Sequence, residues 1–134
     1  MRVALLAAAL AALPLAVGVA APAHAGGPPP PPYIDRTEWV HWADLSSLRV
    51  YPTLAGREAS TEFTSPDEAW SEVLVAAPDA DLPGMREQFD CHWQLAELAE
   101  PGKTSWNLEP WRPEVTPAQM LKAGCNPGNV EEPF

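Results

Sequence analysis

The sequence predicts a small α+β single domain with an N-terminal β-hairpin, two or three short helices and one disulfide. Three observations predict it. Two runs rich in aromatic and β-branched residues alternate with period two. Ser65-Pro66 and Thr116-Pro117 each precede an apolar stretch at helical spacing. The chain carries two cysteines, Cys91 and Cys125.

The N-terminus changes every later count. Arg2 supplies a positive flank, an Ala/Leu/Val-rich run extends from Val3 to Ala21, and Ala23-His24-Ala25 closes it. This is the pattern of a cleavable signal peptide over residues 1–25. The competing expectation is an uncleaved anchor, since about 20 apolar residues can span a bilayer. No cysteine precedes Cys91, which excludes lipid anchoring through an N-terminal Cys.

Residues 26–36 form a proline-rich spacer. Its GGPPPPP run favours extended polyproline II, which has no internal hydrogen bonds. Residues 37–126 form the disulfide-closed domain, and residues 127–134 a flexible acidic tail. Cleavage after Ala25 leaves 109 residues, enough for one modest core. Without Arg2, 7 basic residues face 18 acidic ones, a formal charge of −11. That sign argues against nucleic acid, whose binding needs clustered Lys and Arg, and against anionic lipid. A monomer without nucleic-acid or membrane partners is expected after cleavage.

The first strand is expected over Thr37–Trp42, with Trp39 and His41 on one face and Val40 and Trp42 on the other. The second covers Ser47–Thr53, with Leu48 and Val50 opposite Arg49 and Tyr51; Pro52 ends it or marks an edge. Ala43-Asp44-Leu45-Ser46 reads as the hairpin loop, and Gly56 as part of a polar loop. Ser65 fits a helix N-cap, Pro66 the first helical position, and Glu68 the third residue of a capping box. Ala69, Trp70, Val73, Leu74 and Ala77 then make one apolar stripe, which Pro78 stops.

After Pro83-Gly84 the pattern divides. Met85, Phe89, His92, Trp93 and Ala96 recur at helical spacing, while Phe89, Cys91, Trp93 and Leu95 alternate like a strand. A helix from about Met85 to His92 is expected, with the residues up to Pro101-Gly102 unassigned. Thr116 with Gln119 repeats the capping box, and Gly124 suits a left-handed helix end. In an oxidising compartment Cys91 and Cys125 pair. Closing this loop stabilises by roughly 3–4 kcal/mol in the chain-entropy model.

The distinctive stretch is Trp106-Asn107-Leu108-Glu109-Pro110-Trp111-Arg112-Pro113, whose prolines favour an extended or looped segment. One reading makes it a recognition surface. Exposed Trp106 and Trp111 rings would stack on sugars, Asn107, Glu109 and Arg112 would supply directed hydrogen bonds, and His92 would join them. Arg112 would also suit the face of a Trp ring. The other reading places both indoles in the core, with Glu109 and Arg112 paired across a turn.

The combination of Cys91-His92, this octapeptide and Cys125-Asn126-Pro127 resembles a family of exported, mainly actinobacterial proteins catalogued as a domain of unknown function. The resemblance extends back through Leu48-Arg49-Val50-Tyr51-Pro52-Thr53. It implies an exported domain, and brings no activity, cofactor or catalytic residue.

The expected function is a small secreted binding module of the cell envelope or extracellular space, with cell-wall glycan or a secreted protein as partner. The alternative is a small secreted hydrolase using His92 and Glu109 as its acid/base pair. A zinc site from His41, His92 and a carboxylate lacks metal-binding spacing, since the histidines lie 51 residues apart. No metal and no cofactor are therefore expected. The sequence holds no Gly-rich phosphate loop and no Gly-x-Ser-x-Gly elbow.

Overall fold

A computed structural model describes residues 26–128 together with Glu131 and Glu132. The expected signal peptide, residues 1–25, lies outside the described residues, as do Asn129, Val130, Pro133 and Phe134 of the tail. The fold is a small α+β domain in which helices cover one face of a three-stranded antiparallel sheet.

Strands β1 (Ile34–Trp42) and β2 (Leu45–Pro52) form the hairpin, with Trp39 opposite Leu48 and Trp42 opposite Leu45. The connection is the two residues Ala43 and Asp44, shorter than the expected four-residue loop. Ala43 takes a positive φ of 53° there, as tight hairpin turns require. The first strand also begins three residues earlier than its alternation suggested. Glu72 explains this: its carboxylate accepts the backbone N–H groups of Tyr33 and Ile34 at 2.8 and 2.7 Å.

Helix α1 (Leu54–Thr61) occupies the stretch expected to be a loop around Gly56. Thr53 caps it by accepting from the Gly56 N–H at 2.9 Å. Its inner face is Gly56, Ala59 and Ser60, so burial there produces no apolar stripe for the sequence to display. Gly56 is needed for close approach. A Cβ there would lie 2.2 Å from the Tyr33 carbonyl oxygen.

Helix α2 (Asp67–Ala76) buries Ala69, Trp70 and Val73 as expected. The expected Ser65–Glu68 box is not formed. The Ser65 hydroxyl instead donates to the Asp67 carboxylate at 2.8 Å and accepts the Asp67 N–H at 3.3 Å. A nearer carboxylate takes the hydroxyl.

A single 3₁₀ turn, Pro78–Ala80, leads to helix α3 (Met85–Ala99), which runs seven residues past the expected end. The helical set decides this, because Phe89, His92, Trp93 and Ala96 all face inward. Strand β3 (Trp106–Leu108) pairs with β2, placing Trp106 opposite Val50 and Leu108 opposite Leu48. Paired residues point to the same face, so these four meet α3 as one apolar layer. Trp106 packs against Phe89 and Trp93 at ring-centroid distances of 6.2 and 6.1 Å. Helix α4 (Pro117–Lys122) carries the expected Thr116–Gln119 capping box, and Gly124 has the left-handed φ of 59°. Cys91 and Cys125 are joined as a disulfide with a Cα–Cα distance of 5.4 Å, pinning the end of α4 to α3.

The spacer and tail are less detached than their composition suggests. Tyr33 Oη donates to the Pro29 carbonyl, and Thr53 Oγ1 to that of Pro32. Pro127 is buried, while Glu132 is held by Arg49 and Asn107.

Candidate functional site

The octapeptide turns inward and becomes scaffolding. Gln88 of α3 initiates this, since its side-chain amide donates to the Glu109 carbonyl and accepts the Glu109 N–H, each at 2.9 Å. That two-bond clamp satisfies the backbone where β3 ends. The Glu109 carboxylate then accepts from Ser47 Oγ at 3.0 Å and from Arg112 Nε at 2.7 Å. Arg112 donates on to the Pro127 carbonyl at 3.1 Å, and its guanidinium lies 4.5 Å from the Trp111 ring centroid. The Glu109 and Arg112 side chains are 1% and 2% exposed, so the pair is a buried electrostatic joint between β2, β3 and the chain after α4.

This placement corrects the exposed-ring reading. Trp106 is fully buried in the aromatic core and has no face to offer a sugar; among the described residues its indole N–H has no hydrogen-bond partner. Trp111 is half-buried, donates to the Ser46 carbonyl at 3.0 Å and is covered by Arg112. Asn107 accepts from Ser105 and donates to Glu132.

His92 is different. The residue is 4% exposed, with Nδ1 2.8 Å from the Gln88 carbonyl. A carbonyl only accepts, so Nδ1 carries the proton and Nε2 presents a lone pair. Nε2 has no partner among the described residues. Burial pushes the His92 pKa down to about 4, and Lys103 and Arg112 act in the same direction. The imidazole is therefore neutral near pH 7.

His92 and Glu109 both border a polar cavity of about 100 Å³, with no hydrogen bond between them. Both Glu109 oxygens are engaged elsewhere, so the acid/base pair that the sequence allowed is not formed in this arrangement. His41 stacks beside Trp39 on β1, with ring centroids 6.3 Å apart. Among the described residues, no group of three or more His, Cys, Asp or Glu side chains is placed to hold a metal ion. None of the described helices is long and apolar enough to cross a membrane.

His92 also lines a groove of about 450 Å³ between the second half of α3 and the end of α4. Leu95, Ala96 and Leu98 form one wall and Leu121 the other, with Lys103 and Asn126 at the polar end. Leu98 and Leu121 are 56% and 60% exposed, so the groove opens to solvent across an apolar rim. Sequence reasoning missed these leucines. They carry no motif, and the disulfide together with the packing of Met120 and Leu95 around it brings α4 beside α3.

A family model described as "Protein of unknown function (DUF2599)" matches residues 34–128, most of the chain. The chain belongs to this family. The match begins at the first residue of β1 and ends just beyond the disulfide, so the family unit and the folded unit coincide. Among mycobacterial relatives, the uncharacterized protein Rv0477 of Mycobacterium tuberculosis is 56% identical over 115 residues, covering 84% of this chain and 78% of the relative. The uncharacterized protein ML2452 of Mycobacterium leprae is 46% identical over 102 residues, covering 75% and 83%. No solved structure matches significantly.

Proposed function

We propose that this chain is an exported, non-enzymatic binding module acting in the cell envelope or outside the cell. Its ligand-facing feature is the α3–α4 groove rather than the Trp106–Arg112 segment. The observation that carries this reading is an open aliphatic groove bordered by the polar residues His92, Lys103 and Asn126. A concave apolar site with a few convergent polar groups is the usual form of a binding site. The signal-like N-terminus and the paired cysteines support export. Of the two partners the sequence suggests, a secreted protein suits the groove better than glycan. Its walls are Leu and Ala, while Trp106 is buried and Trp111 is covered by Arg112.

The test is a fragment titration of the oxidised mature domain with labelled Leu methyl groups. Short alkanols and aliphatic amides are expected to shift Leu95, Leu98 and Leu121 together, with saccharides leaving them unmoved. The groove reading fails if no fragment moves those methyls. Cell fractionation of the full chain, with and without Ala25→Asp, tests export. Retention of the native chain inside the cell would refute it.

A further inference from the structure

We propose that Arg49 and Asn107 form a receptor for a carboxylate on the sheet face turned away from the helices, and that the chain's own Glu132 occupies it in cis. This second site does not depend on the α3–α4 groove.

The cradle follows from strand register. Arg49 of β2 lies opposite Asn107 of β3. Their neighbours Leu48, Val50, Trp106 and Leu108 are buried beneath the helices, so alternation turns Arg49 and Asn107 to the other face, side by side. A carboxylate only accepts, and here each of its oxygens receives one donor. Arg49 Nη2 donates to Glu132 Oε1 at 2.5 Å, and Asn107 Nδ2 to Oε2 at 2.8 Å. Ser105 Oγ donates to Asn107 Oδ1 at 2.7 Å, which holds the amide with its N–H groups toward the carboxylate. Neither the register nor the Ser105 bond involves the tail. The cradle therefore stays built when Glu132 leaves it.

The occupant identifies the ligand class. The family unit is residues 34–128, so Arg49, Ser105 and Asn107 lie within it and Glu132 lies beyond it. The receptor belongs to the fold, and the carboxylate to a segment that follows the fold. Nearby cations are committed elsewhere: Arg112 to Glu109, and Lys103 to Glu100 at 3.4 Å. Arg49 takes its counter-charge from the tail, with the Arg49 and Glu132 side chains 22% and 14% exposed. Such partial shielding strengthens charge-assisted hydrogen bonds while leaving the pair within reach of solvent. The polar cavity of about 100 Å³ borders both Asn107 and Glu132, leaving space beside the carboxylate for the atoms that carry it. The ligand is a carboxylate that displaces Glu132, carried by an acidic side chain of a partner protein or by a small acid.

The test titrates acetyl-Gly-Glu-Gly-amide, its Gln analogue and acetate into the oxidised mature chain, native and with Glu132→Ala. The readouts are the Asn107 side-chain amide and Arg49 guanidinium shifts. In Glu132→Ala the Glu peptide should move both sets saturably. The native chain should need at least about tenfold more peptide, because the tethered Glu132 competes for the same donors. The Gln analogue should bind at least about tenfold more weakly, since it lacks the charge. Adding Arg49→Met to Glu132→Ala should abolish binding. Asn107→Asp in the same background keeps the side chain's shape and should also abolish it, by setting a like charge against the ligand.

Saturation by the peptide where acetate shifts nothing assigns the ligand to a partner protein; the converse assigns it to a small acid. If no probe moves Asn107 and Arg49 in Glu132→Ala, the receptor is overturned and Glu132 is only an anchor for the tail. Equal affinity of the native chain and Glu132→Ala overturns the cis occupancy. Equal affinity for the Glu and Gln peptides overturns the ligand class.

Discussion

Glu109→Gln is the substitution that most directly tests how the octapeptide holds the domain together. It preserves shape and removes one charge. In the native protein the carboxylate takes the Arg112 Nε–H at 2.7 Å and the Ser47 hydroxyl at 3.0 Å, with both members of the ion pair almost fully buried. After substitution, the Arg112 guanidinium keeps the Asn126 and Pro127 carbonyls but loses the Glu109 carboxylate. Breaking one side of a buried ion pair costs roughly 3–5 kcal/mol, because the remaining charge is desolvated and uncompensated. A domain of this size has a total stability of about 5–15 kcal/mol, so the loss is a large fraction of the whole. Urea denaturation of the oxidised protein should show the midpoint falling by about 2 M, using the usual slope for small proteins. The double variant Glu109→Gln/Arg112→Met should recover much of the loss, since it leaves neither charge buried alone. A loss below about 1 kcal/mol for Glu109→Gln, with Arg112 still buried, would refute this account of the joint.

Three further outcomes follow from the same geometry. His92 is held near a pKa of about 4 against about 6.5 when unfolded, so the unfolded chain takes up a proton first as pH falls. Stability should therefore drop by roughly 2–3 kcal/mol between pH 7 and pH 4.5 on account of this group. In His92→Gln the urea-derived pH profile should be flatter by that amount, and parallel profiles would rule it out. Removing the 34-residue cross-link with Cys91→Ser/Cys125→Ser should lower stability by roughly 4 kcal/mol. It should also release α4 first, visible as faster amide exchange over Pro117–Lys122; uniform loss of protection would argue against the local role of the bridge. Gly56→Ala forces a Cβ to within 2.2 Å of the Tyr33 carbonyl. It should cost at least about 2 kcal/mol through displaced backbone, measurable as a lower melting temperature, and an unchanged melting temperature would show that the approach is not rigid.

Local chemistry was legible in the sequence wherever the signal lay within a few neighbouring residues. Leu48 and Val50 alternate because β2 has one buried face. Thr116, Pro117 and Gln119 announce α4 because a capping box needs only four residues. The family was legible in outline too, since the chain resembled an actinobacterial domain of unknown function, as the family match and the mycobacterial relatives bear out. Helix α1 was not, since its inner face is Gly56, Ala59 and Ser60, and small residues packed tightly leave no hydrophobic period. The extent of α3 was hidden because Phe89 to Leu95 satisfies both periods, and only its packing partners choose between them.

The candidate site marks the deeper division. By itself the sequence determined the residue types of the octapeptide, and two indoles with an ion pair suit a binding surface and a core equally well. Tertiary structure alone decided between them. Pairing of β3 with β2 turns Trp106 under α3, and the Gln88 clamp draws Glu109 and Arg112 inside. The same packing leaves Leu98 and Leu121 outside, facing each other across a groove. Burial is a property of what lies opposite a side chain. For these residues, what lies opposite comes from distant parts of the chain, and no local pattern encodes it.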